Sequence, residues 1–322
     1  MSLDDDDFDD EVFMLFVEAH DLQNEQKTEQ ALEVVEQIIQ LDPTYKRVQF
    51  LKGYLLLALG RYEEGWPLFV NPPLVGYNEH GLPFTCDNIV TWFGEETNDL
   101  VTLYGDQGYG DFIQFARYIP QVKERCPNIR VVVRDESLVE ITRTSFGVDC
   151  VPFSGPIGGN MCPITNLGWI FKTTIDTIPN KVPYLMINWS LEGNLKKASV
   201  GICWKSERPH PIRYRDIPDN VVEKLFTIPN SISLQKEDLN VSVFSETAAI
   251  INNLDLIITI DTAVAHLAGA LGKPTWLLLS HDCCWRWMQN RTDSPWYPTM
   301  ELIRQPPDEI WEETVDRVLA RF

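Results

Sequence analysis

The spacing of apolar positions changes twice along this chain. Residues 8–69 carry them at helical intervals. In EQALEVVEQIIQLDP, 29–43, Ala31, Leu32, Val35, Ile38 and Ile39 share one face, and Pro43 ends the run. YKRVQFLKGYLLLALGRYEEGWPLF follows, with Gly60 as the stop of its first helix. Residues 70–98 are rich in Pro, Gly and Asn and read as a connector. From residue 99 short apolar strands alternate with helices. A strand is predicted at 100–104, then a glycine-rich turn, a helix at 111–124, a strand at 129–133 and a further helix. Phe112, Phe115, Ala116, Ile119 and Val122 make one stripe on the first of these helices. Strand–helix–strand order predicts a parallel sheet. Segment 151–197 is less regular. The alternation restarts with ASVGICW, then a helix at 219–227, a strand at 231–235, a helix at 245–253, and a closing helix at 308–321 that packs back across the sheet.

The most informative stretch is 254–287: apolar strand, Asp261-Thr262 turn, a small-residue helix from Ala263 to Leu271, a Gly-Lys-Pro stop and a second apolar strand. Asp261 or Thr262 can cap the helix. A strand running into a buried helix N-terminus leaves N–H groups and the positive dipole end facing a crevice, which suits the phosphates of a nucleotide. An ordinary, well-capped βαβ unit fits the same residues. The pattern divides the chain into an acidic tail with short helices (1–70), a first α/β half with its connector (71–197) and a second α/β half (198–322). Two such halves facing each other would make a cleft.

Composition narrows the function. The chain has 322 residues, 44% of them hydrophobic, and a formal net charge of −20. That charge disfavours nucleic acid as a partner; the only basic cluster is Lys205–Arg215. The acidic start does not resemble a signal peptide, and no apolar run reaches the length of about 18 residues a membrane span needs, so a cytoplasmic location is expected. Seven cysteines without CxxC spacing read as reduced thiols. His210 and His281 are isolated and there is no HExxH, so neither a protein-built metal site nor a cofactor is expected. Helix–Asp-Pro–helix–Gly-Arg-Tyr-Glu-Glu-Gly has the form of a tetratricopeptide unit. It covers only about one and a half repeats, where about three are needed for independent stability, so these helices are expected to dock on the next domain.

The segments GRYEEGW, GDQGYGDFIQFARY, IPNKVPYL, VGICWKSERPHPIRYRDIP, SISLQ, ETAAIINNLDLIITIDTAVAHLAGALGKPTWLLL, WRWMQNRTDSPWYP and LIRQ occur in this order over residues 50–318. The set resembles the tetratricopeptide-linked glycosyltransferases related to the ADP-heptose:lipopolysaccharide heptosyltransferase family, glycosyltransferase family 9-like. The resemblance implies a GT-B fold, two facing Rossmann-like domains, here with a short helical cap. It also implies an inverting, metal-independent transfer of a sugar from a nucleotide-diphosphate donor. The acceptor would be a glycan, a lipid-linked glycan, a protein or a modified base.

Within that frame Thr262 and Ala263 fit the donor diphosphate, through the Thr262 hydroxyl and backbone N–H groups. The family has glycine where Ala263 stands, which removes some room for close approach. Asp261 would cap the turn or bind a sugar hydroxyl. His266, one turn into the helix, is either a core histidine or a donor contact, to phosphate if protonated. Gly108 and Gly110 permit positive φ and close backbone approach. Asp111 starts the next helix as a cap or, as the family implies, as the base that takes the acceptor proton. Asp106 is a second candidate, although relatives tend to have glutamate there. Lys205, with Arg213 and Arg215 as alternates, would neutralise charge on the leaving diphosphate. Glu246 would hold ribose hydroxyls or complement its helix dipole. Trp285, Arg286 and Trp287 would stack on a base or sugar, or pack an interface. Two competing functions remain: a degenerate GT-B protein that binds a nucleotide or partner without catalysis, and a sugar-nucleotide epimerase-like enzyme.

Overall fold

A computed structural model describes residues 10–70, 90–154, 158–188, 199–206, 215–306 and 310–322. Arg213, His210, most of the connector and the boundary expected at 197/198 lie outside the described residues. Four consecutive helices come first, each packed on the next: α1 (Asp10–Asn24), α2 (Thr28–Leu41), α3 (Lys46–Ala58) and α4 (Tyr62–Phe69). Gly60 does end α3, at φ +78, a left-handed position where other residues are strained.

The first α/β half holds β1 (Val90–Thr91), β2 (Val101–Tyr104), α5 (Tyr109–Phe115), α6 (Ile119–Arg125), β3 (Ile129–Val133), α7 (Val139–Phe146), β4 (Asp149–Pro152), β5 (Asn160–Pro163) and α8 (Leu167–Ile170). The helix expected at 111–124 is divided. A 3-10 turn at 116–118 separates α5 from α6, where Pro120 supplies no N–H to continue the α-helical ladder. β4 and β5 fall inside or beside the irregular 151–197 segment. Each has four residues and ends in proline, too short to show a period of two.

The second half holds β6 (Val200–Cys203), α9 (Asp219–Val222), β7 (Ser231–Ser233), α10 (Lys236–Leu239), α11 (Phe244–Asn252), β8 (Leu256–Ile260), α12 (Ala263–Ala270), β9 (Thr275–Leu279), β10 (Met300–Arg304) and α13 (Trp311–Leu319). Both halves are built on five-stranded sheets, ordered β1-β5-β2-β3-β4 and β10-β9-β8-β6-β7, and every named strand pair is parallel. The α/β architecture with two Rossmann-like sheets is thus present. β2 is flanked by β3 on one side and by β5 on the other, and β6 likewise by β7 and β8. Each sheet therefore reverses its strand order beside its central strand, and ligands of such sheets bind beyond the carboxyl ends at that reversal.

One hydrophobic core runs through α4, the first sheet and part of the second. Its centre is aromatic. Trp66, Trp285 and Trp296 are buried with Tyr62, and ring centroids of Trp66 and Trp285 lie 5.5 Å apart, edge to face. Trp66 Nε1 donates to Thr173 O (2.8 Å), and Trp296 Nε1 to Tyr62 Oη (3.2 Å). The helical region docks on both halves: Gln289 Nε2 in the second half donates to Gln26 O in the turn before α2 (2.9 Å). Among the described residues no helix is long and apolar enough to cross a membrane.

Candidate active site

The two reversal points face each other across a cavity of about 660 Å³. Its walls come from Gly108–Asp111 and Arg134–Ser137 in the first half. The second half contributes Cys203, Lys205, Ser206, Arg215, residues 241–244, Asp261–Val264, His266, Cys284 and Arg286.

On the second half, β8 ends in the buried run to Ile260 and the chain turns through Asp261 and Thr262 into α12. Thr262 takes the extended N-cap conformation, yet its hydroxyl makes no cap bond to the helix; it lies 3.8 Å from Cys203 Sγ. The first N–H groups of any helix have no acceptor within it, and here the capping side chain does not supply one. Ala263 is already helical, so the family's glycine is not needed for its conformation. Lys205, after β6, points a half-exposed ammonium into the cavity edge, paired with Asp219 Oδ1 at 2.6 Å. Arg215 lines the cavity too, with its buried Nε lacking a hydrogen-bond partner among the described residues. Lys205, Arg215 and the N-terminus of α12 lie on one wall, together with the Asp261 carboxylate.

On the first half, the Gly108–Asp111 turn follows β2. Of the two uses expected of its glycines, positive φ and close approach, only the second is seen. Gly108 has φ −72, and neither glycine of this turn takes positive φ, so conformational freedom is not what the turn uses. Gly110 is needed for space: a Cβ there would lie 2.6 Å from His266 Cδ2, so only a glycine lets α5 meet α12. Asp111 Oδ2 accepts from the Gly108 N–H at 2.9 Å, while Oδ1 pairs with Arg286 Nη2 from the opposite half.

Arg286 is the residue sequence reasoning undervalued, having grouped it with its tryptophan neighbours. It is buried, and its Nε donates to Gln114 Oε1, its Nη1 to Cys284 Sγ (2.9 Å). Burial penalises its charge, but Asp111, Cys284 and Asp261 outweigh that and raise its pKa. An arginine between two tryptophans was the available signal: a guanidinium in an apolar run needs a buried partner. Trp285 and Trp287 pack the interface. Trp285 sits among Tyr62, Trp66 and Trp296, and Trp287 against His266 and Tyr297, and neither lines the cavity.

His266 is buried, and its Nδ1 is 2.9 Å from Tyr297 Oη. Burial, then the charges of Arg286 and Arg117, hold its pKa well below the ordinary value. Those effects disfavour the protonated form that a contact to phosphate by charge would use. Its Nε2 stands 3.9 Å from Asp261 Oδ1. Of the two roles expected of Glu246, the structure shows it at the helix start rather than on the cavity wall. Its Oε2 accepts from Ser242 N (2.8 Å) and Val243 N (3.2 Å), capping α11, and hydrogen bonding to Ser242 lowers its pKa. Phe244 and Thr247, not Glu246, line the cavity from that helix. Asp106 is likewise outside the cavity wall, its Oδ2 accepting from Thr165 Oγ1 at 2.6 Å.

Tyr109 and Phe244, both lining the cavity, are in ring contact with centroids 5.2 Å apart, and Arg134 lies over the Tyr109 ring at 5.2 Å. Tyr109 Oη donates to Asp135. Among the described residues no group of three or more His, Cys, Asp or Glu is placed to hold a metal ion.

No protein-family model matches the chain. Protein FlbA of Caulobacter vibrioides is 24% identical over 329 residues, covering 84% of this chain and 54% of that protein; the chain spans about half the length of this curated relative. Among solved structures, TibC from enterotoxigenic E. coli, a dodecameric iron-containing glycosyltransferase, aligns at 10% identity and TM-score 0.48, over 70% of this chain and 76% of TibC. A glycosyl transferase family 9 structure from Veillonella parvula aligns at 11% identity and TM-score 0.41, over 67% and 88% of the two chains. E. coli ADP-heptose lps heptosyltransferase II aligns at 10% identity and TM-score 0.42, over 68% and 97%. Glycosyl transferase family 9 and heptosyltransferase, the names that two of these solved structures carry, are also names of the family that the ordered motifs resemble.

Proposed function

We propose that this protein is a glycosyltransferase that moves a sugar from a nucleotide-diphosphate donor to an acceptor hydroxyl, with inversion and without a metal ion. The observation that carries it is the placement of a helix N-terminus without a side-chain cap bond and of the Asp111 carboxylate on one cavity. The diphosphate would lie at the N-terminus of α12, taking hydrogen bonds from the Thr262 hydroxyl and the first N–H groups. Lys205 and Arg215 would balance the charge that grows on the departing diphosphate. Asp111, facing them, would take the acceptor proton as the new glycosidic bond forms. Asp261 and neutral His266 would contact the sugar or the turn by hydrogen bonds rather than by charge.

Thermal-shift and calorimetric titration with nucleoside diphosphates and their sugars, on wild type and Thr262→Ala, tests this. A ligand present at about 100 times its Kd stabilises by roughly 2.7 kcal/mol, and the variant should lose most of that. No response to any nucleotide would sink the donor site.

A second reading, a GT-B protein that binds a nucleotide without catalysis, is favoured by one feature. Both Asp111 oxygens are engaged by the protein itself. Donor binding without turnover or donor hydrolysis would support it.

A further inference from the structure

We infer that Arg286 is the positioning residue of Asp111, tying the base of one half to the donor-binding half; this rests on the glycosyl-transfer reading above. Four observations lead there. Arg286 follows β9 in the second half but spends its guanidinium on α5 of the first, on Asp111 Oδ1 and Gln114 Oε1. Gln114 is fully buried, so this anchor is fixed by packing. The remaining arm reaches Cys284 Sγ at 2.9 Å, and the guanidinium carbon lies 4.7 Å from the centre of the Trp285 ring, which supports its flat face. Asp111 Oδ2 is held from the other side by the Gly108 N–H at 2.9 Å.

The carboxylate is therefore clamped at both oxygens, once by its own turn and once by the opposite half. Each carboxylate oxygen accepts more than one hydrogen bond, so clamping fixes the direction of the remaining lone pairs without consuming them. In the transfer, the acceptor O–H bond breaks and its proton passes to such a lone pair. The acceptor oxygen bonds the anomeric carbon, and the bond from that carbon to the diphosphate breaks with its electron pair on the diphosphate. Asp111 becomes neutral as the leaving group gains a negative charge, so the Arg286 cation stays balanced within the cavity throughout. A lysine cannot do this, because a point charge lacks the fork that holds Asp111 and Gln114 together.

The test uses the full chain and the nucleoside diphosphate and donor sugar that bind wild type. Arg286→Lys and Arg286→Gln are first compared with wild type by thermal melting, then by calorimetric Kd for the diphosphate and by steady-state kcat and KM. The expected result is a kcat loss of ~100-fold in both variants, no rescue by lysine, and a Kd within about twofold of wild type. A Kd that rises while kcat holds would overturn the inference and make Arg286 a donor contact. Unchanged kcat per folded molecule would overturn it in favour of a purely structural ion pair. If wild type itself turns over no donor, the glycosyl-transfer reading falls, and this inference with it; if Asp111→Asn keeps wild-type kcat, transfer stands but Asp111 is not its base, and this inference falls alone.

Discussion

The two turns that face each other are built alike and finished differently. Each follows the central strand side of a parallel sheet and opens a helix. In the first, every polar group of the turn's carboxylate is committed to the protein: Asp111 holds Gly108 and Arg286. In the second, Thr262 occupies the cap position but makes no cap bond, and Arg215 nearby has a buried nitrogen without a partner among the described residues. Under the proposed function, the donor diphosphate would supply the acceptor that the buried Arg215 Nε lacks among the described residues.

That contrast can be broken at several points. The largest effect is expected from Asp111→Asn, which keeps the shape but removes the proton acceptor. Steady-state assays should show kcat reduced by ~10²–10⁴-fold, with nucleotide affinity little changed. A comparable loss of nucleotide affinity would mean Asp111 belongs to the donor wall and the contrast is false.

Next is Gly110→Val. Its Cβ would collide with the His266 ring 2.6 Å away, and its further methyls with the start of α12. Overpacking of this kind costs about 1–3 kcal/mol, read as a lowered midpoint in urea. A variant as stable as wild type would show that the two helix starts separate freely.

Thr262→Ala sharpens the comparison from the other side. It should leave the stability of the unliganded protein unchanged within about 0.5 kcal/mol, because there is no cap bond to lose. It should weaken diphosphate binding by about 1.5–3 kcal/mol, the range for a hydrogen bond to a charged group. Destabilisation without loss of binding would make Thr262 an ordinary cap.

His266 predicts a pH dependence. Its folded pKa is depressed by burial and by Arg286 and Arg117. The unfolded chain therefore binds a proton that the native protein refuses. Stability on this account is complete above about pH 6.5. It falls as pH drops below that value, with a slope of up to about 1.4 kcal/mol per unit. Urea melts of wild type and His266→Gln at pH 7.5, 6.5 and 5.5 should show this slope only in wild type.

The smallest effect belongs to Glu246→Gln. The exposed carboxylate caps α11, and its lowered pKa means its contribution is present above the ordinary glutamate range and is lost as pH falls through the folded value. Solvent screening keeps the cost below about 1 kcal/mol. Donor KM should not move; a tenfold rise would return Glu246 to the ribose.

Much of the architecture was legible because it is local. The strand at 129–133 and the turn at Asp261-Thr262 declare themselves through apolar runs bounded by polar and small residues, and the observed elements match them closely. β4 and β5 were not legible: four residues ending in proline carry no period, and they are strands because β3 and β2 pair with them. In the site, Asp111, Lys205, Thr262, Ala263 and His266 all line the cavity, as do Gly108, Gly110 and Asp261. Glu246 and Asp106 do not. A carboxylate at a helix start can cap or bind ligand with the same residue at the same spacing, and only the direction of the side chain separates the two.

The sequence by itself determined the alternation of strands and helices, the two switch-point turns and the residue types placed on them. These follow from neighbours within a few positions, where periodicity and capping act. Tertiary structure decided which groups on those turns are spent and which are left open. Asp111 and Arg286 are 175 residues apart along the chain, and a buried guanidinium pairs with whatever carboxylate the fold delivers to it. Local pattern carries no record of that distance, so the division between a carboxylate clamped at both oxygens and a turn whose cap residue makes no cap bond exists only once the two halves have packed.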